Sequence, residues 1–292
     1  MHKITTLVIL ALTAVAVVLA VTIFSGTCGQ RKGQSMKEET GAILSGSLKD
    51  LSITVICDNN PYKEGLETAW GFSCLITGTE KTILFDTGPD GRLLLDNMTK
   101  LEIDPRSIDT IVLSHIHGDH TGGLESFLER NRDVIVYLPE SFPKRFKHKV
   151  EAREAQIVEV EAPLKICENV YSTGQLGKLI KEQSLTIETE KGLVIITGCA
   201  HPGIVKIINV ARELLKKDVL LVMGGFHLEW MGKGKIKKIV SAFKQLKVQY
   251  VGPCHCSGDK ARSLFEKHFG PKYKYMNIGV GKVINIADLL SR

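Results

Sequence analysis

No disulfide framework is visible in this chain of 292 residues. Its seven cysteines are an odd number without disulfide-like spacing, which leans toward a reducing compartment. No charge of one sign dominates: 38 Lys and Arg against 32 Asp and Glu leave a mild net charge of +6. Aromatic residues do not interleave with the basic ones and no nucleic-acid motif is present, so DNA and RNA are not expected partners. No internal repeat is evident.

What the chain does have begins at its N-terminus. The run Ile4–Phe24 carries no charge and no proline and follows Lys3. At about 1.5 Å per residue it matches a bilayer core of ~30 Å, longer than the apolar part of most signal peptides. It reads as a single membrane-spanning helix, with a cleaved signal and secretion as the alternative. The side on which the chain emerges stays open: Lys3 lies before the run, and Arg31, Lys32 and Lys37 lie after it. Residues 25–48 are rich in Gly, Ser, Thr, Gln and charge and read as a linker. Residues 49–292 are long enough for one domain with a substantial core.

Within that domain, apolar β-branched runs alternate with helical patterns, which places it in the α/β class. Strands are predicted at Ile53–Cys57, Ser73–Thr77, Thr82–Phe85, Thr110–Leu113, Val134–Leu138, Leu185–Thr189, Leu193–Thr197, Val219–Met223, Val248–Val251 and Lys282–Ile286. Helices are predicted at Leu124–Glu129, Ile204–Lys217, Lys235–Leu246 and Ala261–His268. In Lys235–Leu246, Ile236, Ile239, Val240, Phe243 and Leu246 recur at amphipathic spacing. Its lysines form a basic outer surface, read as a solvated face, with contact to anionic lipid headgroups as the other reading.

The chemistry is concentrated after the strand that ends at Leu113. Ser114-His115-Ile116-His117-Gly118-Asp119-His120 packs three imidazoles and a carboxylate into one loop at a strand's C-terminal end. Imidazole nitrogen and carboxylate oxygen suit Zn²⁺, with Fe and Mn as alternatives. His115 and His117, two apart, can aim at one ion, while Asp119 and His120 face a second. Three more histidines follow apolar strands in turns of small residues: His201 in Gly198-Cys199-Ala200-His201, His227 in Gly224-Gly225-Phe226-His227, and His255 in Cys254-His255-Cys256. The assignment predicted is His115, His117 and His201 to one ion, and Asp119, His120 and His255 to the other. His227 and Cys199 are further candidates for the metal or the substrate.

His115-x-His117-x-Asp119-His120 resembles the HxHxDH signature of the metallo-β-lactamase superfamily, and Asp86-Thr87-Gly88 resembles its earlier DTG turn. The likeness runs from about Leu51 to Ala287. It implies an αββα sandwich and a metal-dependent enzyme. Cys199 stands where that superfamily has a bridging Asp, and Tyr171-Ser172-Thr173-Gly174, where an earlier His is often found, contains none. His201 is expected to supply the missing imidazole, and one or two ions remain open. The later histidine turns, with Glu182-Gln183-Ser184-Leu185 and Trp70-Gly71-Phe72-Ser73, are similar to a branch that includes dihydropterin ribofuranosylaminobenzene 5′-phosphate synthases and metal-dependent hydrolases. The expected function is therefore hydrolysis of an ester, lactone, thioester or phosphoester in a small molecule by a metal-bound hydroxide. Asp119 is expected to orient the water, bind an ion or act as general base, and Asp86 to support a ligand histidine from behind. The alternatives are a transferase of the synthase type and a membrane-tethered metal-binding protein without turnover. The oligomeric state is not readable from these residues.

Overall fold

The structure, a computed structural model, describes residues 50–291. The expected spanning run Ile4–Phe24 and the linker over 25–48 lie outside the described residues. No helix among the described residues is long and apolar enough to cross a membrane.

The chain first runs through β1 (Ser52–Cys57), β2 (Ser73–Thr77), β3 (Ile83–Phe85), α1 (Gly91–Lys100), β4 (Thr110–Val112), α2 (Gly118–Thr121), α3 (Leu124–Leu128), β5 (Ile135–Pro139), α4 (Lys144–Glu151) and β6 (Gln156–Val160). It continues through β7 (Leu164–Cys167), β8 (Val170–Ser172), β9 (Leu185–Thr189), β10 (Gly192–Thr197), α5 (Ile204–Leu215), β11 (Val219–Gly225), α6 (Lys233–Gln245), β12 (Tyr250–Cys254), α7 (Gly258–Tyr273), β13 (Val283–Asn285) and α8 (Ile286–Leu290).

Two mixed sheets result, a seven-stranded one in the order β13-β1-β2-β3-β4-β5-β6 and a six-stranded one in the order β12-β11-β10-β9-β8-β7. Three apolar layers hold them. Ile53, Phe72, Phe85, Val112, Ile187, Val194, Ile196 and Met223 fill the space between the sheets. The outer face of the first sheet buries Leu84, Ile111 and Val136 against Leu94, Met98 and Phe127 of α1 and α3. The outer face of the second buries Ile195, Val222 and Val251 against Ile207, Ile208, Val240 and Phe265 of α5, α6 and α7. This is the layered order helix, sheet, sheet, helix. Strands covered on both faces are apolar throughout, which is why β10 and β11, buried along their whole length, read so plainly as strands. Each aliphatic side chain buried there is worth roughly 1.5–3 kcal/mol over leaving it in water.

β3, β4, β5 and β6 run parallel, as do β10, β11 and β12. Their C-terminal ends carry the turns singled out above. In α6 the buried residues are Ile236, Val240 and Phe243, as the spacing predicts. Three strands escaped the apolar pattern. β6 and β7 are outermost in their sheets and only partly buried, and β8 is only three residues long. The sequence also gave no expectation for α1, which is started by Asp90 accepting a hydrogen bond from Leu93 N at 2.9 Å. No expectation covers α4 either, because Val150 is its one buried residue.

Candidate metal centre

Five strand ends from the two sheets meet at one place. Asp86 follows β3, the 114–120 loop follows β4, Cys199 and His201 follow β10, His227 follows β11, and His255 and Cys256 follow β12. The backbone there is strained: Asp86, Ala200, His227 and His255 all have left-handed φ, between 47° and 58°. Non-glycine residues adopt that region sparingly, and at strand ends it turns side chains back toward a common point. Two glycines let the turns close. A Cβ on Gly198 would lie 2.1 Å from Ser114 Oγ and 3.0 Å from Asp86 Oδ2, and one on Gly225 would lie 2.3 Å from Gly198 O.

The ligand atoms gather into groups within 4.8 Å: His115, His117 and His201 in one, and Asp119, His120, Cys199 and His255 in another. The six residues assigned to the two ions are thus brought together in the two sets expected, Cys199 joins the second group, and His227 belongs to neither. His115, His120 and His255 are buried, His117 and His201 half-buried, and His227 exposed.

Hydrogen bonds fix how the buried rings face. Asp86 accepts from Ser114 N at 2.6 Å, from Ser114 Oγ at 2.7 Å and from His120 Nδ1 at 2.7 Å. Ser114 Oγ, having spent its proton on Asp86, accepts from His115 Nδ1 at 2.9 Å. His255 Nδ1 donates to Asn59 Oδ1 at 3.2 Å, and His255 N donates to Asp58 Oδ2 at 3.2 Å. Each Nδ1 is therefore a donor occupied outside the centre, and each Nε2 lone pair faces inward. Asp86 thus stands behind the His120 ring and the Ser114 backbone.

Those inward lone pairs carry the fit for a cation. His120 Nε2 and His255 Nε2 stand 3.2 Å apart, and His115 Nε2 stands 3.0 Å from His117 Nδ1. Nitrogen ligands at 2.0–2.1 Å around a tetrahedral ion are separated by about 3.3 Å. Asp119 Oδ2 lies 3.3 Å from His255 Nε2 and 3.6 Å from His120 Nε2, and Cys199 Sγ lies 3.2 Å from His120 Nε2. His201 Nε2 is buried with no hydrogen-bond partner. Facing acceptors and an orphaned nitrogen need a positive charge among them, and this N, O and S donor set suits a divalent transition ion.

Charge preferences agree. Burial, reinforced by the imidazoles of His120, His201 and His117, holds His115 well below the ordinary histidine value. Burial and the neighbouring His227 bring His201 down to about 4. Burial opposes a charge on His120, but the carboxylates around it, Asp86 first and then Asp119 and Glu182, together outweigh burial and raise that ring. Burial also opposes ionisation of Asp119, yet the neighbouring imidazoles of His255 and His120 hold it down to about 2. A carboxylate of so low proton affinity suits ligation and water orientation better than general-base work.

One residue that matters here has no sequence pattern to mark its role. Glu182, fully buried, accepts hydrogen bonds from Cys199 N at 2.9 Å, Ala200 N at 2.7 Å and His201 N at 2.8 Å. It clamps the turn that carries two of the candidate ligands. Burial pushes it up to about 7 against the pull of those three donors. Next to it, Gln183 N donates to Ser114 O at 2.9 Å, tying this segment to the histidine loop. A carboxylate three residues ahead of the strand that starts at Leu185 is the one signal the sequence carries for it. Asn59 and Asp58, after β1, gave none.

Known proteins are similar in fold and sequence. The chain matches the metallo-beta-lactamase superfamily over residues 71–210. It is 29% identical over 289 residues to the 7,8-dihydropterin-6-methyl-4-(β-D-ribofuranosyl)-aminobenzene-5′-phosphate synthase of Methanocaldococcus jannaschii, covering 82% of this chain and 98% of that protein. A solved metal-dependent hydrolase of the beta-lactamase superfamily is 30% identical, with a TM-score of 0.69 over 80% of this chain and 98% of its own. The metallo-beta-lactamase fold protein YhfI from Bacillus subtilis, 15% identical, shares the fold at a TM-score of 0.61 over 80% of this chain and 99% of its own. Fold, site and these likenesses agree, and the chain belongs to the metallo-β-lactamase superfamily.

Proposed function

We propose that this chain is a metal-dependent hydrolase that cleaves an ester, lactone, thioester or phosphoester bond in a small molecule. The observation that supports it most is the inward-facing pair His120 Nε2 and His255 Nε2, 3.2 Å apart with Asp119 beside them. The likeness to a metal-dependent hydrolase at 30% identity supports the same reading. His115, His117 and His201 would hold one ion, and Asp119, His120, His255 and Cys199 a second, with Zn²⁺ favoured over Fe or Mn. An ion bound there supplies Lewis acidity and brings the pKa of water to about 7.

The chain's own groups do the rest. Asp86 and Asn59 hold His120 and His255 in one tautomer and one orientation. Asp119, ionised throughout the physiological range, accepts a hydrogen bond from the attacking water and orients it. His227 is exposed, with its ring 4.4 Å from that of His201, on the side from which a substrate reaches the histidines. Trp70, half exposed and 5.0 Å from the His255 ring, offers a flat apolar wall to the part of the substrate that does not react.

A second reading is favoured by the 29% identity to the M. jannaschii synthase across nearly all of that protein. In it the same centre positions two organic substrates and water is excluded. Turnover in ¹⁸O-labelled water separates the two: a hydrolase places one labelled oxygen in product per cycle, a transferase none. A fully metal-loaded chain inert toward lactones, thioesters, phosphodiesters and pterin precursors alike would point to binding without turnover.

On the strength of Ile4–Phe24 we place the full chain at a membrane, with 49–292 as the catalytic domain on a linker. Membrane attachment that resists high salt supports this; a soluble mature chain starting near Ser25 or Cys28 would make the run a cleaved signal.

A further inference from the structure

We infer that Cys199, Cys256 and His227 form a third, sulfur-rich metal site, built for a thiophilic ion and joined to the buried histidine group through the Cys199 sulfur. One ligand atom from each of the three lies within 4.8 Å of the others. Zinc with sulfur ligands at about 2.3 Å and nitrogen at about 2.0 Å separates its ligands by about 3.5–3.8 Å, so small side-chain movements close the site. Sulfur and imidazole together select soft or borderline ions such as Zn²⁺, Cd²⁺ or Cu⁺.

The two cysteines stand apart from the others of the described chain. Cys74, Cys167 and Cys254 pack in the layer between the sheets, and Cys57 packs under α1. Cys199 and Cys256 are just as buried, at 4% and 5% exposure, yet belong to none of the three apolar layers. A buried thiol is commonly a small apolar filler. These two instead face each other and polar groups: Cys199 Sγ stands 3.2 Å from His120 Nε2, and Cys256 Sγ 3.6 Å from Cys199 O.

The backbone is arranged to bring the three together. Gly225 has no side chain where a Cβ would lie 2.7 Å from Cys256 Sγ and 3.2 Å from Cys199 Cα, so the β10 and β12 turns meet across it. His227, at a left-handed φ of 54°, turns back toward the pair. Leu228 N and Glu229 N both donate to Cys256 O, at 3.1 and 3.2 Å, and lock the His227 turn onto Cys256. His227 is exposed and the thiols are buried, so an ion enters past the imidazole and settles on the sulfurs. Cys256 and His227 belong to neither of the two groups described above, so the site can be removed without removing a ligand of either.

This inference does not rest on the hydrolase reading. The full-length protein is reconstituted anaerobically, under reductant, with Co²⁺ and separately with Zn²⁺. Metal per chain is counted after removal of free ion, and the sulfur-to-cobalt charge-transfer band is recorded. Cys256→Ser is expected to bind one ion fewer than wild type and to lose part of that band. His227→Ala, a change at an exposed side chain that keeps the protein folded if Cys256→Ser does not, is expected to lose the same ion. His117→Ala is expected to lose a different ion and keep the band, so a failure of the histidine centre is told apart from a failure of the sulfur site. Unchanged metal content and band intensity in both Cys256→Ser and His227→Ala would overturn the assignment and leave Cys256 as packing.

Discussion

The two histidine groups use the same side chain and hold it very differently. In the buried group, His120 and His255 are fully enclosed, each tied at Nδ1, one to a carboxylate and one to an amide. Asp119 adds a charged oxygen and Cys199 a sulfur. In the open group, His115 is buried and tied at Nδ1 to Ser114, but His117 and His201 are half-exposed, and His201 Nε2 has no partner. A ring fixed at one nitrogen presents the other in a single orientation, so less freedom is lost when an ion arrives. Preorganisation should therefore make the buried group the tight one and the open group the exchangeable one.

The largest test of that contrast is His120→Ala. It removes the ring on which Asp86, Asp119, Cys199 and His255 converge. The ion of the buried group should be lost and activity should fall by more than about 100-fold, since supporting partners alone are worth roughly 10–100-fold. His201→Ala should cost only the exchangeable ion. If direct metal analysis shows His201→Ala stripping both ions while His120→Ala keeps one in the buried group, the ranking is reversed.

Asp86→Asn comes next. The amide keeps the shape but weakens the hold on His120 and reverses one hydrogen-bonding edge facing Ser114. Affinity at the buried group should drop about 10–100-fold in a chelator-competition titration, with the open group moved far less. Equal losses at both groups would mean that Asp86 supports the whole loop rather than one ring.

The same contrast explains what could be read in the sequence. His115, His117, Asp119 and His120 share one loop, so their chemistry shows as a local pattern. His201, His227 and His255 come from three strand ends. They stood out because each follows an apolar run buried on both faces, and such runs are legible. The outermost strands β6 and β7 face water and follow no such rule. Asn59 and Asp58 support His255 from nearly two hundred residues away, and nothing local marks an amide as a histidine's partner. Glu182 shows the same limit: its three partners are backbone N–H groups, which leave no trace in side-chain identity.

Acid should separate the groups more gently. Asp86 raises His120, so an ion entering the buried group must displace a proton held more tightly than usual. Affinity there should climb with pH, by at most about tenfold per unit, until His120 is neutral without metal. His201, brought down to about 4 and so neutral over this range, gives the open group no comparable dependence. In metal-free protein His201 has the opposite linkage. Its folded value lies below the unfolded one, so its contribution to stability is complete above about 6.5 and is lost as pH falls through about 4. A buried group whose affinity stays flat from pH 5 to 8 would contradict the role given to Asp86.

The smallest effect on metal affinity is expected at Glu182, behind the turn the two groups share. Oε1 accepts from Cys199 N and Ala200 N, and Oε2 from His201 N. In Glu182→Gln one oxygen survives, and the new amide N–H groups must face a donor. The turn loosens, and metal affinity at the His201 group should weaken severalfold, on the scale of one lost hydrogen bond of about 1 kcal/mol. Stability should move in a pH-dependent way. Glu182 has a folded value of about 7 against an unfolded value near 4.5, so the fold favours its protonated form. The stability gained this way is fully present below about 4.5 and is lost as pH rises through about 7, a span worth up to about 3 kcal/mol. Glutamine cannot ionise and has no such loss. The melting temperature of metal-free Glu182→Gln should therefore fall furthest below wild type in mild acid and close on it as pH rises past 7. Subtracting the two curves cancels His201 and the other titrating groups, which both proteins share. A difference that does not change between pH 5 and 8 would show that Glu182 is ionised throughout, held by its three donors strongly enough to overcome burial.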